Sequence, residues 1–163
     1  MAEAVKTNVM RILEKAGTSH RVHYYDPDKG IDGVSVANQL GQDPQAVFKT
    51  LVTQGNDRNF YVFDVPVNRE LDLKKAAKAV GVKSVEMIRV ADINKITGYV
   101  RGGCSPVGMK KRYRTVFDAT ARECDTMLVS AGRIGWQIEA KPDDLAKVSG
   151  AIFADILMEK PLG

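Results

Sequence analysis

Val47-Phe48-Lys49-Thr50-Leu51-Val52-Thr53 and Asn59-Phe60-Tyr61-Val62-Phe63-Asp64-Val65 flank Gln54-Gly55-Asn56-Asp57-Arg58. Two runs of strand formers around a Gly-Asn turn predict a β-hairpin. A period of two places Val47, Lys49 and Leu51 on one sheet face. A lysine among apolar neighbours is costly to bury unless its ammonium reaches water or an anion. Lys49 therefore either snorkels to the surface or stands on a pocket floor, where it meets a phosphate or carboxylate.

Outward from this hairpin the chain alternates short helices and short strands. Toward the N-terminus, Val5, Val9, Ile12, Leu13 and Ala16 recur at helical spacing and Gly17 stops them. Arg21 to Tyr25 reads as a strand. Asp26-Pro27-Asp28 with Gly30 and Gly33 reads as a loop, and Val34 to Leu40 as a helix ended by Gly41. Toward the C-terminus, Asp72 caps a helix that runs to Val80 and stops at Gly81. Strands are expected at Ser84 to Ile88, Thr115 to Asp118, Thr126 to Ser130, Trp136 to Ala140 and Ala151 to Ile156. Helices are expected from Asp92 to Thr97 and from Pro142 onward. Without a regular βαβ alternation, the pattern predicts an α+β fold over residues 1–163: one domain, a curled mixed sheet or partly closed barrel with helices outside.

The 163 residues suffice for a core without staples, and a net charge of +4 is compatible with an anionic partner without requiring one. No apolar run approaches the roughly 20 residues of a membrane span. Glu3, Lys6, Arg11 and Glu14 interrupt the stretch where a signal peptide needs continuous apolar residues, so a cytoplasmic location is expected. Two cysteines, Cys104 and Cys124, and two histidines, His20 and His23, lack metal-ligand spacing, so neither a metal nor a cofactor is expected.

The densest chemical signal is Gly98-Tyr99-Val100-Arg101-Gly102-Gly103-Cys104-Ser105-Pro106-Val107-Gly108. Four glycines in 11 residues describe a sharply turning backbone that can aim amides at a carbonyl oxygen or phosphate, or merely connect two elements tightly. No nucleotide-binding glycine pattern is present. Lys110, Lys111, Arg112 and Arg114 follow directly and read as one wall of an anionic-substrate site, or as a solvated face. Ser130 and Arg133 sit at and beyond a strand end, where serine either bonds substrate or only forms a turn. Cys104 with His23 would make a thiol nucleophile and base if the fold joined them, but no third orienting group is evident.

Taken together, Val47 to Val52, Glu70-Leu71-Asp72-Leu73-Lys74, Gly98 to Pro106 and Val129-Ser130-Ala131-Gly132 resemble the YbaK/EbsC family of the prolyl-tRNA synthetase editing-domain group. The likeness runs in order from about Lys6 to Ile156. It implies a barrel-like mixed domain that clears misacylated tRNA in trans, with Cys-tRNA(Pro) as substrate and prolyl-tRNA synthetase as partner. It also implies roles. Lys49 would hold the phosphate of the terminal adenosine, and amides of the loop at Gly102 and Gly103, running on through Ser105 and Pro106, the aminoacyl carbonyl. Tyr25, Ser130 and Gln137 would border the aminoacyl group. Lys110, Lys111, Arg112 and Arg133, read from their charge alone, would then meet tRNA phosphates.

For cysteine-specific members the resemblance implies substrate-assisted chemistry, in which the cysteine thiol attacks its own ester. Gln137 stands where some members carry an acid, and Asp32 where a relative carries an aromatic residue. Relatives of similar fold remove alanine instead, and a tRNA- or synthetase-binding module without turnover is a further alternative. No helix-turn-helix pattern supports DNA reading.

Overall fold

The computed structural model describes residues 5–159. Among these residues five α-helices and eight strands occur in the order α1 (Asn8–Lys15), β1 (His20–Tyr24), α2 (Gly33–Leu40), β2 (Phe48–Gly55), β3 (Phe60–Pro66), α3 (Leu73–Val80), β4 (Val85–Met87), α4 (Ile93–Thr97), β5 (Arg114–Asp118), β6 (Met127–Ser130), β7 (Trp136–Ala140), α5 (Pro142–Ser149) and β8 (Ile152–Ala154). Three short 3-10 turns, Pro27–Lys29, Val90–Asp92 and Ala119–Glu123, were not legible as separate elements. The punctuation of the sequence explains the helix ends. Thr7, Asp32 and Asp72 accept from amides of the first turns of α1, α2 and α3. Gly41, Gly81, Gly98 and Gly150 end α2, α3, α4 and α5 in the left-handed conformation.

The strands form two sheets rather than one barrel. One has the order β1-β7-β6; the other, β4-β2-β3-β5-β8, is antiparallel through β4-β2-β3 and parallel through β3-β5-β8. They meet at a parallel bridge, Val47 to Leu128, where the Leu128 amide donates to the Ala46 carbonyl at 2.8 Å. The expected mixed sheet is present, and it is not closed.

Alternation along the hairpin sets the layers. Tyr61, Phe63 and Val65 of β3 pack with Ala76, Ala77 and Val80 of α3. Val9, Met10 and Leu13 of α1 cover Met127, Val129, Ile138 and Ala140 on the other sheet. Ala37, Val47, Val67 and Leu128 fill the space where the sheets meet. Complete burial of a side chain such as Phe63 or Phe117 contributes about 1.5–3 kcal/mol. Among the described residues no helix is long and apolar enough to cross a membrane.

Candidate active site at the junction of the two sheets

β4 pairs only with Thr53 to Gly55, so the first half of β2 has an open edge beside the junction. Side chains of both parities reach that edge, which is why Lys49 and Thr50 border the same cavity. The cavity holds about 580 Å³. Its walls come from Tyr25 after β1, the start of α2, the first half of β2, the glycine loop at Arg101, Gly102 and Cys104, and Ser130 and Gln137 on β6 and β7.

Lys49 keeps most of its side chain covered and places its ammonium 3.6 Å from the exposed Glu70 carboxylate. Across the hairpin Thr50 pairs with Asp64. Gln137 is buried, and its Oε1 has no hydrogen-bond partner among the described residues. A buried acceptor bordering a cavity is poised for a donor from a ligand. Ser130 Oγ accepts from the Gly132 amide at 3.1 Å, and the Tyr25 amide donates to the Gly135 carbonyl at 2.9 Å.

The glycine loop is held from both ends. The Gly103 amide donates to the Val100 carbonyl at 2.9 Å, a turn that needs the positive φ of +86° at Gly102. Gly103 is glycine for a steric reason, because a Cβ there would lie 3.1 Å from the Ile134 nitrogen. Further along, the Tyr99 hydroxyl donates to the Val107 carbonyl at 2.5 Å.

The expected site residues divide. Lys49, Gly102, Tyr25, Ser130 and Gln137 line the cavity. Gly103 lies beside it, with its own amide committed to the turn. Ser105 is fully buried, and its hydroxyl accepts from the Val107 amide at 3.3 Å, a structural role within the loop. Pro106 borders a different, smaller cavity of about 200 Å³, together with Lys111 and Arg112. The basic segment therefore does not form a wall of the Lys49 cavity, because the chain turns away after Pro106. Lys110 donates to the Lys95 carbonyl at 3.1 Å, in the last turn of α4. Arg133 stacks its guanidinium 4.8 Å from the Trp136 ring centroid.

Cys104 and His23 do not form a dyad. Burial pushes the Cys104 thiol up to about 12, with the nearby Asp64 carboxyl adding to the effect. His23 is turned to Glu139, Nε2 to Oε1 at 2.7 Å, and Glu139 also binds the Thr126 hydroxyl. The Thr126 hydroxyl, and after it His23, hold the Glu139 carboxyl below its usual range.

Sequence reasoning assigned no part to Arg101, Thr50 or Asp64. Arg101 and Thr50 line the cavity, and Asp64 lies wholly buried behind Thr50. The signal for Asp64 was present: it is the lone carboxylate in an otherwise apolar run from Phe60 to Val65.

The pattern of the aminoacyl-tRNA editing domain matches residues 32–148, which carry every wall of the cavity except Tyr25 and Ile31. A relative from Enterococcus faecalis, EbsC, provisionally named a Cys-tRNA(Pro)/Cys-tRNA(Cys) deacylase, is 43% identical over 156 residues, covering 93% of each chain. Two solved structures share the fold. The hypothetical protein APE2540 superimposes with a TM-score of 0.84 at 23% identity, over 92% of this chain and 99% of its own. A protein described provisionally as a trans-editing enzyme for prolyl tRNA synthetase superimposes at 0.82 and 23% identity, over 95% of this chain and 100% of its own. The chain belongs to the aminoacyl-tRNA editing domain family.

Proposed function

We propose that this editing enzyme removes cysteine from Cys-tRNA(Pro), and also from Cys-tRNA(Cys), acting in trans in the cytoplasm as one editing domain alongside prolyl-tRNA synthetase. The observation that carries this reading is a cavity lined by Lys49, Arg101 and a turned glycine loop, in which no hydroxyl or thiol has a histidine beside it as a base. Its lining contains no histidine, and its one thiol stays protonated up to about 12. A site so furnished accelerates a reaction whose nucleophile belongs to the substrate, by orientation and by stabilising charge on the carbonyl oxygen.

In that reaction the cysteine thiol attacks its own ester carbonyl. The new sulfur–carbon bond forms, the bond from carbon to the ribose oxygen breaks, and the proton passes from sulfur to that oxygen. A cyclic thioester leaves. Lys49 exchanges Glu70 for the phosphate of the terminal adenosine. Gly102 and its neighbours in the loop hold the carbonyl, while Tyr25, Ser130 and Gln137 surround the aminoacyl group. The orphaned Gln137 Oε1 accepts from its ammonium. Lys110, Lys111, Arg112 and Arg133 meet phosphates of the tRNA outside the cavity. The 43% identity to EbsC supports the substrate assignment.

The test is amino-acid release from Cys-tRNA(Pro), Cys-tRNA(Cys) and Ala-tRNA(Pro) by catalytic amounts of protein. Rapid loss of cysteine alone is expected. Equal loss of alanine would keep the deacylase and remove the thiol mechanism. Stoichiometric protection of tRNA without release would leave only a binding module.

A further inference from the structure

Asp64 sits in the middle of β3, completely buried, and its cross-strand neighbour is Thr50. Its Oδ1 lies 2.5 Å from Thr50 Oγ1, and its Oδ2 has no hydrogen-bond partner among the described residues. Thr50 in turn lines the cavity, so the partner of the buried carboxyl belongs to a residue that a ligand would meet. Packing alone gives no reason for this arrangement. A carboxyl with one partner costs desolvation that an apolar residue in the strand would avoid.

The chemistry of the pair is constrained by hydrogen count. An ionised carboxylate can only accept, so the single Thr50 hydrogen must point to it. A protonated carboxyl can donate to Thr50 Oγ1, which frees the Thr50 hydrogen to turn into the cavity. Three elements face Asp64. β2 contributes Thr50, and β5 contributes Phe117 at the paired position. The glycine loop contributes the Cys104 thiol, the titratable group whose charge couples to Asp64 among the described residues. Burial pushes the Asp64 carboxyl up to about 8, so at neutral pH its proton is in place.

We propose that Asp64 is a positioning residue that turns the Thr50 hydroxyl so that its hydrogen points into the cavity, as a donor to the carbonyl oxygen of the bound aminoacyl ester. The identity of that ester rests on the deacylase reading above; the coupling of Asp64 to Thr50 does not. The donor supplements the glycine loop, and it is lost when Asp64 ionises and reclaims the Thr50 hydrogen.

Two measurements test this. The first needs no turnover: carbon-13 titration of the Asp64 carboxyl in the wild type and in Thr50→Val. The Thr50 hydroxyl lowers the carboxyl pKa, so its removal is expected to move the midpoint upward. An unmoved midpoint would overturn the coupling even if the protein deacylates nothing. The second is deacylation of Cys-tRNA(Pro) between about pH 6 and pH 9, where ionisable groups of the substrate titrate alike for every variant.

Thr50→Val is expected to lower kcat by up to about 100-fold, as for loss of one oxyanion donor. Thr50→Ser should restore most of that loss. Asp64→Asn should abolish the alkaline fall that distinguishes the wild type, and should add nothing in a Thr50→Val background. Additive losses in the double variant, or an unchanged pH profile in Asp64→Asn, would overturn the proposal. An inactive wild type would instead remove the deacylase reading, leaving the carboxyl titration to decide the coupling.

Discussion

The Lys49 ammonium and the Glu70 carboxylate stand 3.6 Å apart as unequal partners, one rooted in β2 and largely covered, the other 78% exposed. An ion pair this open to water is worth no more than about 1 kcal/mol, so a phosphate can displace Glu70. Lys49→Ala should cost about 100-fold or more in kcat/KM while thermal unfolding stays near the wild type, as for a lost contact that positions the substrate. Glu70→Gln should do the reverse on binding, lowering KM for the tRNA by up to about fivefold. Steady-state kinetics with Cys-tRNA(Pro) measures both. Wild-type turnover in Lys49→Ala would end the role assigned to the lysine.

Cys104 offers a sharper choice between mechanisms. A thiol held protonated to about 12 is not a nucleophile at neutral pH. Cys104→Ala should therefore lower kcat by no more than about tenfold, the effect of trimming a cavity wall. Loss of a true nucleophile costs on the order of 10⁴ or more. Single-turnover deacylation distinguishes these two magnitudes.

The buried Asp64 ties stability to pH. Its carboxyl is pushed from 3.8 up to about 8 in the fold. Between those values the unfolded chain has lost the proton and the folded chain has kept it, so stability falls as pH rises through the window. The slope approaches about 1.4 kcal/mol per pH unit at most. Urea unfolding at a series of pH values should show this fall in the wild type, and Asp64→Asn should flatten it. Parallel curves would mean that the carboxyl titrates normally in the folded protein.

Lys111 and Arg112 border their own cavity, apart from Lys49. If they meet phosphates, replacing both by Ala should raise KM for the full tRNA and leave kcat unchanged. The slope of log KM against log salt should fall by about two, one per lost contact. An unchanged salt slope would make them a solvated face.

Much of the fold was legible because its punctuation is local. Gly41, Gly81 and Gly98 stop helices by backbone geometry alone, and the hairpin announced itself through alternation around Gly55-Asn56. The site was legible in part. Lys49, Gly102 and Ser130 lie in segments whose sequence already looked unusual, Gln137 came only from the family resemblance, and all four line the cavity. Lys110 to Arg112 follow the glycine loop in sequence yet do not line the Lys49 cavity, because adjacency in sequence does not survive the bends from Pro106 to Gly108. Division into two sheets was also hidden, since whether β2 pairs with β6 or merely touches it depends on contacts between residues about 80 apart. The Thr50–Asp64 pair needed the hairpin register, which composition does not encode.

The cavity walls come from both sheets, and in sequence they stretch from Tyr25 to Gln137. No shorter stretch of the chain contains Tyr25, Lys49, Gly102 and Gln137 together. A growing polypeptide of this protein therefore acquires the site only after β7 has been made and the sheets have joined. The site is a late product of the same translation machinery whose errors it removes. A ribosome carrying a partial copy holds the Lys49 hairpin long before it holds an enclosed cavity.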